Sequence, residues 1–338
     1  MTTEEFQFNE GDDLVRRYRQ YKQIDGDAAF RRFERRVGAS ARRPRGRFWL
    51  WIAGAAAAVV GIVFLASRLV APSPKEGINL VAKIAPGGSK AYLTIGDGEQ
   101  TALTGSATCI ADIVPPQSSD TEATTGAPAP MMRVDVPRGG EYRLTLDDGT
   151  NVHLNAGSSL SFPKVFTGAS RSVRLVGEAY FEVAHRDDCP FIVEVSGVRV
   201  RQYGTRFNIE AYGGQPARVT LVEGSIGVAA AGKGEHRLSP GCQAVVDGKG
   251  DVSISHVDIR AAMGWTTGSL VFDNKPLGDI TQTLSRWYDV DISLSPSLRD
   301  TRFTGSLSRR GNLADILDAI AEITGMTYSY DGKVVTCQ

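Results

Sequence analysis

The residues able to do chemistry in this 338-residue chain are few and scattered. The histidines, His153, His185, His236 and His256, stand far apart, and no HExxH pair joins two of them. A phosphate loop ending in Gly-Lys-Ser/Thr and a G-x-S-x-G nucleophile elbow are both missing. Glu178 and Glu182 are the one carboxylate pair at a suggestive spacing. On a strand they share a face, but roughly 13 Å of backbone would part them, too far for two carboxylates to flank a glycosidic bond. They read as solvated or hydrogen-bonded structural groups. Cys109, Cys189, Cys242 and Cys337 are widely spaced without C-x-x-C. That spacing argues against zinc and leaves buried free thiols or any of several disulfide pairings open. No catalytic residue, cofactor or metal is expected.

The elements that must carry these residues are divided by one apolar run. Residues 48–70 (FWLWIAGAAAAVVGIVFLASRLV) hold no charge from Phe48 to Ala66, and as a helix they reach roughly 34 Å, enough to cross a bilayer core. Trp49 and Trp51 mark one interface, and Arg68 snorkels at the other. Arg31, Arg32, Arg35, Arg36, Arg42, Arg43, Arg45 and Arg47 crowd the N-terminal flank. The positive-inside rule therefore puts residues 1–47 in the cytoplasm and the bulk of the chain outside. A cleaved signal peptide is the weaker reading, because the polar leader is too long and so is the apolar run. Formal net charge is zero, so only this asymmetry is informative.

Residues 1–47 read as two short helices broken at Asp25-Gly26-Asp27, with Leu14, Tyr18, Tyr21 and Ile24 on one stripe and Phe30, Phe33 and Val37 on the next. So short a segment cannot bury its own stripes and wants a partner groove. Its arginines also suit an anionic lipid surface, whereas no motif supports direct nucleic-acid binding. Residues 71–130 are a connector: INLVAKIAPGGSKAYLTIGDGEQTAL alternates like paired strands, and 115–130 are a Pro/Ser/Thr-rich linker.

Residues 131–257 are all-β, antiparallel or solenoid-like. YRLTL, NVHLN, SVRLV, AYFEVA, FIVEV, VRVRQY, RFNIEAY, ARVTLV and SIGVA alternate between turn residues, and Asp148-Gly149 marks a hairpin. IAPGGSKAYLTIGDG (84–98) faintly echoes VPRGGEYRLTLDDG (136–149), as a repeated β-unit would. Residues 265–338 form a small α+β domain, a doubled βαβ. Pro276 suits the start of a helix carrying Leu277, Ile280 and Leu284, and strands follow at Val290–Leu294 and Arg302–Leu307. Asn312 caps a second helix with the stripe Leu313, Ile316, Leu317, Ile320 and Ile323, ended by Gly325, before a last hairpin around Asp331-Gly332.

Several motifs in order then carry a family resemblance: DGT-x-V-x-LN (148–155), SLSFP (159–163), GEAYFEV (177–183), PF-x-V (190–193) and GT-x-FN (204–208). With PRGGEYRL before them and VTLVEGSI after, this stretch resembles the FecR family of single-pass anti-sigma factors and sigma regulators. His153 stands where such proteins often carry an aromatic residue. FDNKPLGDITQTLSRWYDVDI and FTGSLSR resemble the C-terminal domain of Bacteroidetes-type members, itself similar to the short N-terminal domain of secretins and TonB-dependent transducers.

The resemblance implies a protein of the inner membrane with a periplasmic bulk. It would relay a nutrient signal from an outer-membrane TonB-dependent transducer to an extracytoplasmic-function sigma factor, with no enzymatic activity. From the periodicity of residues 1–47, the sigma factor would meet Leu14, Tyr18, Tyr21, Phe30, Phe33 and Val37; the transducer would meet Leu270, Phe272, Trp287, Tyr288, Ile292 and Phe303. The small residues Gly54, Gly61 and Ala55–Ala58 would suit an intramembrane protease or helix packing alike. The alternative is an envelope assembly protein that docks an outer-membrane complex without a sigma partner.

Overall fold

A computed structural model describes residues 81–103, 105, 108–109, 130–202 and 204–338. The helices expected over 1–47, with all six sigma-facing residues, and the apolar run 48–70 lie outside the described residues. Among the described residues no helix is long and apolar enough to cross a membrane.

Period-two alternation governs most of the chain. Four short strands come first: β1 (Gly88–Ser89), β2 (Ala91–Ile95), β3 (Thr101–Leu103) and β4 (Thr108–Cys109). The β domain continues through β5 (Met131–Val136), β6 (Gly140–Thr145), β7 (Asn151–Leu154), β8 (Ser158–Pro163) and β9 (Arg171–Glu182). Then come β10 (Phe191–Val195), β11 (Val198–Gln202), β12 (Arg206–Ala211), β13 (Ala217–Glu223) and β14 (Ile226–Ala230). It closes with β15 (Glu235–Leu238), β16 (Cys242–Val246) and β17 (Val252–His256).

These strands make two sheets that share β9. One runs β15-β14-β11-β10-β9-β8-β5-β2-β3, the other β17-β16-β13-β12-β9-β7-β6, with β1 and β4 added in parallel along β6. Their inner faces interleave in one core that includes Met132, Leu154, Leu160, Phe162, Phe181, Phe191, Phe207 and Val228, the usual way a sandwich buries alternating apolar positions.

The corner is Gly177. Residues 171–176 of β9 pair in the first sheet and 177–182 in the second. Gly177 has φ +94°, and a Cβ there would lie 2.5 Å from the Ser158 hydroxyl, so only glycine turns this corner without strain. SVRLV and AYFEVA are therefore one twelve-residue strand rather than the two expected. β4, β5, β8, β15, β16 and β17 have no counterpart among the expected strands; SSLSFP and EHRL, for example, carry little of the β-branched signal that marks a strand. The faint repeat has a structural meaning. β1 lies parallel to β6 with Gly88 opposite Gly140 and Ser89 opposite Glu141, so the two glycine pairs stack side by side. Val81, by contrast, is helical where paired strands were expected.

A short helix α1 (Ile259–Met263) and a 3-10 turn (Gly264–Thr267) lead to the C-terminal domain. It comprises β18 (Ser269–Pro276), α2 (Leu277–Tyr288), β19 (Asp291–Leu294), β20 (Arg302–Ser308), α3 (Leu313–Thr324), β21 (Tyr328–Tyr330) and β22 (Val334–Cys337). The doubled βαβ pattern yields two small sheets, an antiparallel β18–β20 ribbon and a β19-β22-β21 sheet in which β19 and β22 run parallel. Pro276 sits at the N-cap of α2, one residue earlier than its fixed φ suggested. Asn312 accepts from the Asp315 amide at the start of α3, and Gly325 (φ +73°) ends it. The expected stripes are buried except at Ile323, which is 66% exposed in the last turn of α3.

Candidate functional site

Three of the sequence motifs converge on one carboxylate. Glu178 projects from the outer face of the second sheet, opposite Glu210 on β12. Asn155 Nδ2 donates to Glu178 Oε2 at 2.7 Å, and Asn208 Nδ2 donates to Oε1 at 3.0 Å. Asn155 closes DGT-x-V-x-LN, Glu178 opens GEAYFEV after its glycine, and Asn208 closes GT-x-FN. Burial, with the Glu210 charge beside it, pushes the Glu178 carboxyl up to about 7 against the opposing pull of both amides.

The amide oxygens then face the other domain. Trp265 Nε1, in the 3-10 turn, donates to Asn208 Oδ1 at 3.3 Å, and the Arg309 guanidinium donates to Asn155 Oδ1 at 2.5 Å. Arg309 is 2% exposed; it also donates to the Trp265 carbonyl, lies 3.6 Å over the Trp287 ring and has Glu141 at 3.5 Å. Trp287 in turn donates its indole N–H to the Arg309 carbonyl. The seam between domains is thus one arginine held by two tryptophans and an asparagine.

His153 fills the neighbouring place. Its ring packs 4.5 Å from Trp265, Arg143 Nε approaches Nδ1 at 3.4 Å, and Nε2 faces Glu141 at 3.5 Å. Burial lowers its pKa despite Glu141, so it sits there as a neutral ring. For Glu141, burial works upward, but the His153 hydrogen bond and the Arg309 and Arg143 charges prevail and hold the carboxyl below its ordinary value.

A second contact fixes the end of α2. Arg138, from PRGG, donates to the Ser285 and Val290 carbonyls and pairs with Asp291 at 2.9 Å, where a helix C-terminus favours a cation. The Gly139 amide donates to Arg286 O at 2.8 Å. Tyr212 donates to the Ala156 carbonyl and has Arg286 stacked 3.8 Å over its ring. Beside these contacts a crevice of 470 Å3 opens between the domains, with Glu178, Glu210, Tyr212, Arg218, Lys275 and Arg286 among its lining. No cluster of His, Cys, Asp or Glu among the described residues is placed to hold a metal ion.

Five of the six positions expected to face the transducer lie in the core rather than on a surface. Leu270, Phe272, Trp287, Tyr288 and Phe303 are buried in the C-terminal core, and Ile292 packs half-buried against it. Glu182 is separate from Glu178, near Tyr180 and Arg206 at the surface. Arg309, Trp265, Asn155, Asn208 and Arg138 carry the seam, and no reading of spacing brings them together. DGT has its own duty: Asp148 accepts from the Thr150 amide and hydroxyl and from Arg171 at 2.6 Å, with both charged side chains buried.

The FecR protein family matches residues 132–227, and the family of FecR C-terminal domains matches residues 269–337. Two crystal structures, at 1.65 and 2.50 Å resolution, of a candidate anti-sigma factor from Parabacteroides distasonis ATCC 8503 are similar to this chain. Each is 30% identical over 61% of this chain and 98% of its own, with a TM-score of 0.58. This chain belongs to the FecR family. The two family segments lie on the two sides of the seam: Glu178 holds Asn155 and Asn208, Asn155 accepts from Arg309 of the C-terminal segment, and Asn208 accepts from Trp265 in the turn that leads to it. No functionally curated protein matches the chain.

Proposed function

We propose that this FecR protein is a membrane-anchored regulator of an extracytoplasmic-function sigma factor. Residues 48–70 would be the span, residues 1–47 the sigma-binding output, and the two-domain exterior the receiver. The observation that carries the reading is the family match on both sides of the seam, supported by the likeness to the P. distasonis protein. The apolar stripes of Leu14, Tyr18, Tyr21, Phe30, Phe33 and Val37 support the output end.

At the receiving end the signal would come from the periplasmic domain of a TonB-dependent transducer. Because five of the six expected side chains are core residues, recognition passes to a backbone edge. β20 is the natural one: seven residues without proline, paired on one side only by β18, and exposing Thr304, Ser306 and Ser308. An extended strand of the transducer would add there. Regulated proteolysis within 48–70 is a compatible way to end the signal.

The test is to co-purify residues 1–47, fused to a carrier, with the sigma factor encoded nearest this gene. A complex that is lost on Leu14→Asp together with Phe33→Asp supports the reading. Absence of any complex with the intact segment overturns it.

A further inference from the structure

The segment that leads into the β domain is seated on the C-terminal domain as well. Val81 is 0% exposed and belongs to the C-terminal core with Leu284, Trp287 and Leu317, and Ile84 packs against the same cluster. At Gly87 a Cβ would lie 2.7 Å from the Trp287 ring and 2.8 Å from its carbonyl. Chain and helix end are therefore in contact with no side chain between them.

On its other side the segment holds the β domain by a few hydrogen bonds, Ser89 Oγ to Gly105 O at 2.6 Å among them. The Gly88 and Lys90 amides donate to Gly139 O and Glu141 O at 3.0 and 3.2 Å, and β1 is only two residues long, too short to hold itself against fraying. Its partner loop is tied to the same helix, through Gly139 N–H to Arg286 O and Arg138 to Ser285 O and Val290 O. Gly87 and Gly139 lie against the end of α2, while Gly88 and Gly140 pair beside them.

We propose that residues 81–90 are a strap clamped by the C-terminal domain, so that lifting this domain releases the chain between residues 48–70 and the β domain. The clamp joins the apolar seat of Val81 and Ile84 to a polar and aromatic seam, the composition of interfaces that separate and re-form. Arg309 and Arg138 hold that seam with charges that water can take over when it opens. The inference goes beyond the sigma-factor reading, and its test involves no sigma factor.

The experiment is amide hydrogen exchange by mass spectrometry on the full chain in lipid nanodiscs, comparing wild type with Arg138→Ala/Arg309→Met. Peptides from β10–β14 and from α3–β22 must keep wild-type protection, which shows both domains folded. Expected is exchange at least about tenfold faster in peptides covering 84–91 and, in parallel, in those covering 263–270. Arg309→Lys alone, a gentler variant, raises both by a smaller, matched factor. Opening at 263–270 with wild-type protection at 84–91 overturns the proposal, because the seam then does not hold the strap. No change in either place overturns it too, because the two arginines then do not hold the clamp.

Discussion

Glu178→Gln changes the stability of this protein with opposite signs at the two ends of the neutral pH range. In the folded chain the Glu178 carboxyl titrates near 7, against 4.5 for the free group. Its folded pKa is raised, so its contribution to stability is fully present below pH 4.5 and is lost as pH climbs to 7. At about 1.4 kcal/mol per pH unit, and discounted because the side chain keeps some exposure, the loss is about 2–3 kcal/mol. Glutamine has no charge and removes that slope. It also meets two amide donors with one oxygen: Asn155 and Asn208 are held in orientation by Arg309 and Trp265, so neither flips freely. One hydrogen bond is lost, about 1–2 kcal/mol. Glu178→Gln is therefore destabilising by about that amount at pH 5 and neutral or stabilising by up to about 2 kcal/mol at pH 8. Urea titrations of the full chain followed by tryptophan emission at pH 5, 6, 7 and 8 read this directly. A difference between variant and wild type that stays flat across the range, or slopes the other way, refutes the reasoning.

Arg171→Met strands the buried Asp148 carboxylate and costs about 3–5 kcal/mol in a denaturant titration, whereas Arg171→Met/Asp148→Asn recovers part of it. Gly177→Ala puts a Cβ 2.5 Å from the Ser158 hydroxyl at φ +94° and lowers stability by more than about 2 kcal/mol, read as a fall in thermal midpoint. Asn312→Ala removes the cap at the Asp315 amide and costs about 1 kcal/mol, with faster amide exchange confined to the first turn of α3.

The parts of this fold that sequence makes legible are those set by local periodicity. The alternation of FIVEV and ARVTLV, the Asp148-Gly149 turn, the Asn312 cap and the Gly325 stop each depend on a few neighbouring residues. β15 escaped because EHRL is mostly exposed and lacks an apolar face, and β9 was divided because a glycine that turns a sheet corner looks like one that ends a strand. The seam was illegible for a different reason. Asn155, Glu178, Asn208, Trp265 and Arg309 span 154 residues between the Asn155 and Arg309 ends of one contact, and each is an ordinary polar or aromatic residue in its own strand or turn. The motifs pointed at three of them without saying what they face. The partner-facing residues expected in the C-terminal domain are large apolar side chains, and five of the six build its core.

The measurement that bears most directly on signal transfer through the seam is a sigma-dependent reporter in cells carrying the full chain as wild type or Arg309→Met. The promoter should be one served by the sigma factor encoded nearest the gene. Two controls are equal cellular levels of both proteins and the exchange data showing an opened seam. Expected is that Arg309→Met shifts reporter output severalfold without inducer and leaves little further response to it. Wild-type basal output and wild-type induction from a protein whose seam is open would contradict it.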